Sequence, residues 1–262
     1  MDILSKIALR KIKEIELKKQ SFSISHLEQL PGFKASTNSL KAALKQSDSG
    51  IIAEFKRRSP SKAVINQSLY VDDVAQAYQN AGATAMSVLT DNTFFGGSLE
   101  DLILAKSACS LPILRKEFII DPYQVIESKA YGADAILLIA AILDEKQLID
   151  LSQLAKQLQL DVLVEVHNST ELIKATQSHA DIIGVNNRNL KTFKVSLDTS
   201  IELSSQIPTE FLKISESGIS SPQDILQLQN YGFEGFLIGE QFMKSNTPGK
   251  EASKFIHSIS GS

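Results

Sequence analysis

Lysine and glutamate residues lie at the ends of several short apolar segments of the chain. Glu54 and Lys56 lie at the end of the first such segment, Lys116 in the third and Glu165 in the fifth. An ammonium and a carboxylate held close together can donate and remove protons, which is the chemistry of general acid–base catalysis. Charged groups are rarely buried without a partner, so their convergence predicts a reactive site. The alternative is a buried ion-pair network that only ties strands together.

The alternation of side chains along a β-strand predicts that these groups share one face of a sheet. Ile51, Ala53 and Phe55 would face outward, which leaves Glu54 and Lys56 on the inner side. The same reasoning places further residues on the inner side: Glu165 and His167 (with Val162, Val164 and Val166 outward), Lys116 with Phe118, and Asn186 with Arg188.

Eight apolar segments of strand length alternate with segments of helical spacing such as LYVDDVAQAYQNA. This pattern predicts an α/β protein, a (β/α)8 TIM barrel with active groups at the carboxyl ends of its strands. An open doubly wound sheet is the alternative, weakened because no GxGxxG follows the first segment. The predicted strands are IIAEF (51–55), AMSVLT (85–90), PILRKEF (112–118), AILLIA (135–140), DVLVEV (161–166), IIGVNN (182–187), FLKISES (211–217) and GFLIG (235–239).

Residues 1–46 are predicted to form a helical N-terminal extension packed on a barrel of residues 47–262, together a single domain 1–262. An amphipathic helix is expected at the start, with Ile3, Ile7, Ile12 and Ile15 on its apolar face. The first twenty residues carry charges throughout, so they are not interpreted as a signal peptide.

Composition excludes several classes of function. With 262 residues and a net charge of −3, the chain has no basic field for nucleic acid. Its longest apolar stretch, residues 135–143, is too short to span a membrane, and its single cysteine, Cys109, is expected to be an inert half-buried thiol. A cytoplasmic protein is expected. The four histidines lack metal-site spacing, so no metal is predicted, and His167 alone is interpreted as a hydrogen-bonded barrel histidine.

Glycine and serine residues at three strand ends predict an anion site. Ser59 follows the first strand, Ser217 and Gly218 follow the seventh, and Gly239 and Glu240 follow the eighth. The loops after the seventh and eighth strands are where such barrels often bind phosphate through backbone N–H groups. A single glycine there could serve only a turn, but its recurrence at both expected strands favours phosphate binding.

Seven motifs, one at each of several strand ends, resemble those of the indole-3-glycerol phosphate synthase family. The resemblance covers essentially the whole chain, and the order of the motifs makes it far more specific than any one of them. The motifs are EFKRRSPS (54–61), LTDNTFFGGS (89–98), LRKEFIID (114–121), VEVH (164–167), GVNNRNL (184–190), SESGI (215–219) and LIGE (237–240).

This resemblance implies that the chain closes the indole ring of 1-(2-carboxyphenylamino)-1-deoxy-D-ribulose 5-phosphate, with loss of carbon dioxide and water, in tryptophan biosynthesis. By similarity Lys116 is the general acid, Lys56 paired with Glu54 holds the substrate carboxylate, and Glu165 acts in the dehydration. Which lysine assists the dehydration stays open. The other implied contacts are Asn186 and Arg188 to the carboxylate and hydroxyls, Phe95, Phe118 and Leu137 to the aromatic ring, and Ser59, Ser217, Gly218, Gly239 and Glu240 to the phosphate.

Two other functions are alternatives to this one. Phosphoribosylanthranilate isomerase would be expected to use a cysteine and an aspartate at strand ends and to lack the extension. Here Cys109 lies in a helix-like segment before the third strand, so that function is rejected. A non-catalytic phosphometabolite-binding barrel would keep the glycines but lose Lys116 or Glu165, and both are present. We expect no cofactor, a small phosphosugar substrate, no nucleic-acid or membrane partner, and a monomer or weak homo-oligomer.

Overall fold

The computed structural model describes residues 2–189 and 192–260 of the chain. Leu190 of the motif GVNNRNL, and Met1, Lys191, Gly261 and Ser262 of the predicted domain, lie outside the described residues. The strands are Ile51–Phe55 (β1), Ala85–Leu89 (β2), Ile113–Lys116 (β3), Ala135–Ile139 (β4), Asp161–Val166 (β5), Ile182–Asn186 (β6), Leu212–Glu216 (β7) and Gly235–Ile238 (β8).

These eight strands of the described chain are parallel, pair in sequence order and close into a barrel through the pairing of β1 with β8. The predicted (β/α)8 TIM barrel is confirmed, and the alternative of an open doubly wound sheet is wrong. β1 and β5 have the predicted bounds, whereas the other strands end one or two residues earlier. The residues beyond those ends, such as Phe118 and Ser217, have left the sheet to form the rim of the barrel.

Helices precede the barrel and connect its strands. Several of them begin at a side-chain cap, as in the capping box that Asp144 and Gln147 form at the start of the helix before β5. No helix in the described ranges is long and apolar enough to cross a membrane. The helices are Ile3–Ser21 (α1), Ile24–Leu27 (α2), Pro31–Lys34 (α3), Leu40–Lys45 (α4), Val71–Asn80 (α5), Asn92–Phe95 (α6), Leu99–Ala108 (α7), Pro122–Ala130 (α8), Glu145–Gln157 (α9), Ser169–Thr176 (α10), Asp198–Ser204 (α11), Pro222–Gln229 (α12), Glu240–Met243 (α13) and Pro248–Ser260 (α14).

The apolar core has two main layers, and the alternation along each strand decides which layer a residue joins. The layer between strands and helices includes Ile51, Ala53, Phe55, Val162, Val164 and Val166. The layer inside the barrel includes Ile52, Leu114, Leu163, Ile182 and Ile214. The predicted outward faces of β1 and β5 are therefore confirmed, and Glu54 and Glu165 lie on the inner side.

The N-terminal helices contact both ends of the barrel. The segment leading into α4 contacts the amino-terminal end, where the Ser39 hydroxyl donates to Asp161 at 2.7 Å. Helix α1 lies at the carboxyl end, with Ile7 in the interior core layer. The predicted apolar face of α1 is wrong at one position: Ile12 is exposed. Lys11 takes the buried place instead, because buried carboxylates of the barrel face it.

Candidate active site

A cavity of about 510 Å³ lies at the carboxyl ends of the strands. Its walls include all fourteen residues that the sequence singled out for catalysis and binding. They come from all eight strands and the segments that follow them, so barrel closure is what brings them together. The fourteen are Glu54, Lys56, Ser59, Phe95, Lys116, Phe118, Leu137, Glu165, Asn186, Arg188, Ser217, Gly218, Gly239 and Glu240.

Lys116 lies among carboxylates at the centre of the site. Its Nζ atom is 3.6 Å from Glu165 Oε2 and donates a short hydrogen bond to Glu216 Oε2. Glu216 was not predicted as a partner of Lys116, although it shares the inward parity of Leu212 and Ile214 on β7. Strand parity could therefore have found it, but the pairing joins residues 100 positions apart and depends on closure of the barrel.

Burial and surplus negative charge shift two proton affinities here. Burial by itself lowers the pKa of Lys116, but attraction to Glu216, Glu165 and Glu54 outweighs it and holds the pKa above its ordinary value. Burial raises the pKa of Glu216 to about 7, even though Lys116 opposes the change. Both directions hold together because one ammonium cannot compensate three neighbouring carboxylates. Lys116 is thus kept protonated at neutral pH.

Glu54 and Lys56 form the predicted pair at the end of β1, with 2.7 Å between Lys56 Nζ and Glu54 Oε1. Glu54 is buried, whereas Lys56 is partly exposed to the cavity. Gly239 packs directly against this pair, because a Cβ atom there would lie 2.4 Å from Glu54 Oε1. The glycine is therefore needed to leave room for Glu54, a reason that the sequence did not reveal.

One wall of the cavity is apolar. The rings of Phe95 and Phe118 lie 5.8 Å apart at a tilt of 37°, and Leu137 adds to the same wall. Asp91 holds α6, which carries Phe95, by accepting a 3.2 Å hydrogen bond from its backbone N–H. Helix α1 also contributes Ile3, Leu4 and Ile7 to the lining, which was not predicted. The barrel residues that they face begin only at Glu54 in the chain, so no local pattern marks them.

The residues expected to surround phosphate lie on β7, β8 and β1, which are neighbours in the barrel. Ser217 and Gly218 both have positive φ, of 66° and 84°. A side chain at Gly218 would also meet Val195, whose Cγ1 would be 2.4 Å from the added Cβ. Glu240 pairs with Lys62 at 3.0 Å and so joins the loops that follow β8 and β1.

Asn186 and Arg188 contact each other at the end of β6. The backbone N–H of Arg188 donates to Asn186 Oδ1 at 3.0 Å, which orders the first residues after the strand. Both side chains reach the cavity, as their shared parity predicts. A planar guanidinium and an amide in these places are suited to hold carboxylate or hydroxyl oxygens.

Two other features bear on chemistry. Cys109 lies at the end of α7, half-buried, and burial raises the pKa of its thiol, which fits the expected inert residue. Within residues 2–189 and 192–260 no group of three or more His, Cys, Asp or Glu side chains could hold a metal ion.

The family model described as indole-3-glycerol phosphate synthase matches residues 4–257. The chain belongs to the indole-3-glycerol phosphate synthase family. It is 47% identical to the indole-3-glycerol phosphate synthase of Bacteroides thetaiotaomicron, covering 98% of this chain and 99% of that relative. It is 41% identical to the one from an Acidovorax species, covering 97% of this chain and 99% of that relative. The resemblance inferred from the seven motifs is therefore confirmed.

Distant solved structures share the barrel. Tryptophan synthase subunit alpha from Legionella pneumophila has a TM-score of 0.62 at 13% identity, covering 87% of this chain and 100% of that chain. Thiamine phosphate pyrophosphorylase from Pyrococcus furiosus has a TM-score of 0.59 at 15% identity, covering 84% of this chain and 99% of that chain. At this identity the likeness concerns the fold alone.

Proposed function

We propose that the chain converts 1-(2-carboxyphenylamino)-1-deoxy-D-ribulose 5-phosphate to indole-3-glycerol phosphate, releasing carbon dioxide and water. It is a carboxy-lyase of tryptophan biosynthesis. The single observation that carries the proposal is one cavity that combines a lysine among carboxylates, an apolar wall and a rim of serine and glycine. These three parts match an acid–base reaction on a substrate with an aromatic ring at one end and a phosphate at the other.

Lys116 is proposed as the general acid of ring closure. A carbon of the aromatic ring attacks the ketone carbon, and the ketone oxygen takes up the proton that Lys116 Nζ releases. The raised pKa of Lys116 supports this role because it keeps the proton on the amine until the alkoxide forms. The wall of Phe95, Phe118 and Leu137 would hold the ring beside that lysine.

Lys56 is proposed to hold the substrate carboxylate before it departs as carbon dioxide. Its pairing with Glu54 at 2.7 Å fixes the direction of the ammonium. Asn186 and Arg188 would orient the carboxylate and hydroxyl oxygens from the end of β6. Hydrogen bonds from a charged lysine or arginine to a carboxylate are stronger than neutral ones, and those of arginine also fix the orientation of the carboxylate.

Glu165 is proposed to act in the dehydration, removing a proton while a lysine assists the departure of hydroxide. Its carboxylate lies 3.6 Å from Lys116 Nζ, so proton donor and acceptor are next to each other. The phosphate would lie at the rim formed by Ser59, Ser217, Gly218, Gly239 and Glu240, where strand ends and backbone N–H groups favour anions.

The deciding experiment is an assay with the anthranilate–ribulose phosphate that follows indole fluorescence. Wild-type protein is expected to form product, and Lys116→Ala is expected to lower turnover by about 10²–10⁴-fold with the fold intact by circular dichroism. A non-catalytic phosphometabolite-binding barrel would bind the compound without forming indole in either protein. Near-normal turnover in folded Lys116→Ala would contradict the assignment of the general acid.

A cytoplasmic location and a monomer or weak homo-oligomer are also proposed. The support for the location is the charged N-terminal sequence and the single cysteine. Gel filtration with light scattering tests the oligomeric state. We further propose that residues 1–262 form a single domain, with residues 1–46 as its extension.

A further inference from the structure

A second cavity, of about 660 Å³, lies beside the first. It is formed by the start of α1 and by the residues that follow β4, β5 and β6. Leu4, Asn186 and Arg188 line both cavities, so they form the partition between them. His167 and Glu171 line only the second cavity, whereas Glu165, two residues before His167, lines the first.

Glu171 fixes the orientation of His167. One carboxylate oxygen, Oε2, accepts a 2.8 Å hydrogen bond from the His167 backbone N–H and lies 3.0 Å from its Nδ1. The other, Oε1, accepts from the Asn168 side chain at 2.7 Å, and Asn168 caps α10, which carries Glu171. Since a carboxylate accepts hydrogen bonds, the proton of the ring belongs on Nδ1.

The other ring nitrogen of His167 points toward the active site. Nε2 is buried, has no hydrogen-bond partner, and lies 3.5 Å from Glu165 Oε1. A buried nitrogen without a partner is costly, and here it faces the carboxylate proposed to move protons. One proton shared between Nε2 and Oε1 would satisfy both atoms.

The proposed reaction has a net demand for a proton. The ketone oxygen needs two protons to leave as water, and the neighbouring carbon returns only one. The missing proton replaces the charge of the carboxylate that departs as carbon dioxide, so each turnover takes one proton from solvent.

We propose that His167, held by Glu171, is a positioning residue and proton store for Glu165. In the step proposed, which follows ring closure, the Nε2–H bond of the imidazolium breaks, its electron pair stays on Nε2, and an O–H bond forms on Glu165 Oε1. Glu165 then gives a proton to the amine that ring closure left deprotonated on Lys116, whose Nζ lies 3.6 Å from Glu165 Oε2. Glu165 is again a carboxylate and can remove the proton of the neighbouring carbon in the dehydration. The neutral imidazole regains a proton from solvent before the next turnover. This inference rests on the proposed function, since it supplies that reaction's proton.

The charges around His167 favour the stored proton. Burial by itself lowers the pKa of His167, but its hydrogen bond to Glu171 and the charges of Glu165, Glu171 and Glu216 raise it above its ordinary value. The walls of the second cavity add Asp2 from the start of α1 and Arg188 after β6. The imidazolium is therefore retained to higher pH than in a free histidine and is lost as pH rises further.

The test is the pH dependence of kcat in wild type, His167→Gln and Glu171→Gln, with the exposed His257→Gln as control. Wild type is expected to lose kcat as pH rises through the raised pKa of His167. His167→Gln should lower kcat at least about tenfold, which is less than the loss of a group that touches substrate would cause. Its KM should change little, and the fall of kcat at high pH, the pH limb, should be absent. Glu171→Gln should move the limb to lower pH, and His257→Gln should leave it in place.

The outcomes separate this inference from the function on which it rests. If wild type makes no indole product, the proposed function fails. If wild type is active and neither His167→Gln nor Glu171→Gln changes the pH limb, the proton store is refuted and the function stands. If His167→Gln does not fold, the pH limb of Glu171→Gln provides the test. A shift of that limb to lower pH supports the proton store, whereas an unchanged limb refutes it, because a purely structural role of Glu171 would not shift it.

Discussion

Lys116 and its carboxylates show how single residues are poised in this site. The ammonium contacts both Glu165 and Glu216, and Glu54 adds to the negative field around it. Such a surplus of like charge costs folding free energy, and strongly shifted pKa values are common where it serves chemistry. Substitution of single carboxylates around Lys116 can therefore distinguish a catalytic role from a structural one.

Glu165→Gln should lower turnover by about 10²-fold or more while stability falls little. The stronger partner of Lys116 is Glu216, so loss of the Glu165 charge leaves the lysine paired. If Glu165 were only a strut for buried lysine charge, its loss would cost up to about 3–5 kcal/mol. Thermal melting and steady-state rates on one sample decide: a large loss of melting temperature with turnover preserved contradicts the catalytic role.

Glu216→Gln should change stability in a pH-dependent way. In the folded protein the pKa of Glu216 is about 7, whereas its ordinary value, expected in the unfolded chain, is 4.5. The proton on Glu216 therefore stabilises the folded protein fully below pH 4.5, and this stabilisation is lost as pH rises through 7. Between pH 4.5 and pH 7 the free energy of unfolding of the variant should therefore rise relative to that of wild type, by on the order of 3 kcal/mol. Urea unfolding at pH 4.5 and pH 8 measures the difference, with exposed Glu202→Gln as control. A difference independent of pH would count against the shift.

At the scale of an element, α1 is joined to the barrel through one buried lysine. Lys11 Nζ lies 2.9 Å from Asp91 Oδ2 and 3.1 Å from Glu117 Oε1. Asp91 caps α6, which carries Phe95, and Glu117 lies between Lys116 and Phe118 in the chain. The extension therefore neutralises the carboxylates that support the apolar wall of the cavity.

Lys11→Met should destabilise the protein by about 3–5 kcal/mol, because removing one partner leaves buried carboxylate charge uncompensated. It should also raise KM, since α6 and its Phe95 lose support. Lys13→Met, on the exposed side of the same helix, is the matched control and should change stability by less than about 0.5 kcal/mol. Urea denaturation compares the two. Equal stability of the two variants would show that the ion pairs of Lys11 with Asp91 and Glu117 do not stabilise the fold.

At the scale of the whole molecule, the proposed single domain predicts that extension and barrel unfold together. Ile7 belongs to the interior core layer and Lys11 is buried at the barrel rim, so α1 cannot leave without exposing both. The chain has no tryptophan, which allows a single reporter to be placed in either part.

Phe22→Trp at the end of α1 and Tyr231→Trp after α12 should show the same urea midpoint, equal to that of far-UV circular dichroism. Both positions are partly exposed, so the substitutions should disturb packing little. An earlier midpoint for the reporter at position 22 alone would mean that the extension unfolds on its own.

Much of the barrel and of its site followed from the order of residues along the chain. Side chains alternate with period two along a strand, a local property, so the outward Val162, Val164 and Val166 sufficed to turn Glu165 inward. Alternating strands and helices then predicted the barrel, whose carboxyl ends gather the active groups. The roles of those groups stay predictions.

Which distant groups meet depends on how the chain folds in three dimensions. The bond of Lys116 to Glu216 and the burial of Lys11 against Asp91 depend on barrel register and on how α1 crosses the rim. Gly239 likewise leaves room for the side chain of Glu54, because the pairing of β8 with β1 brings the two residues together. Local patterns carry none of this, because a charge selects its partner by distance in the folded chain. Burial then sets how strongly the two interact.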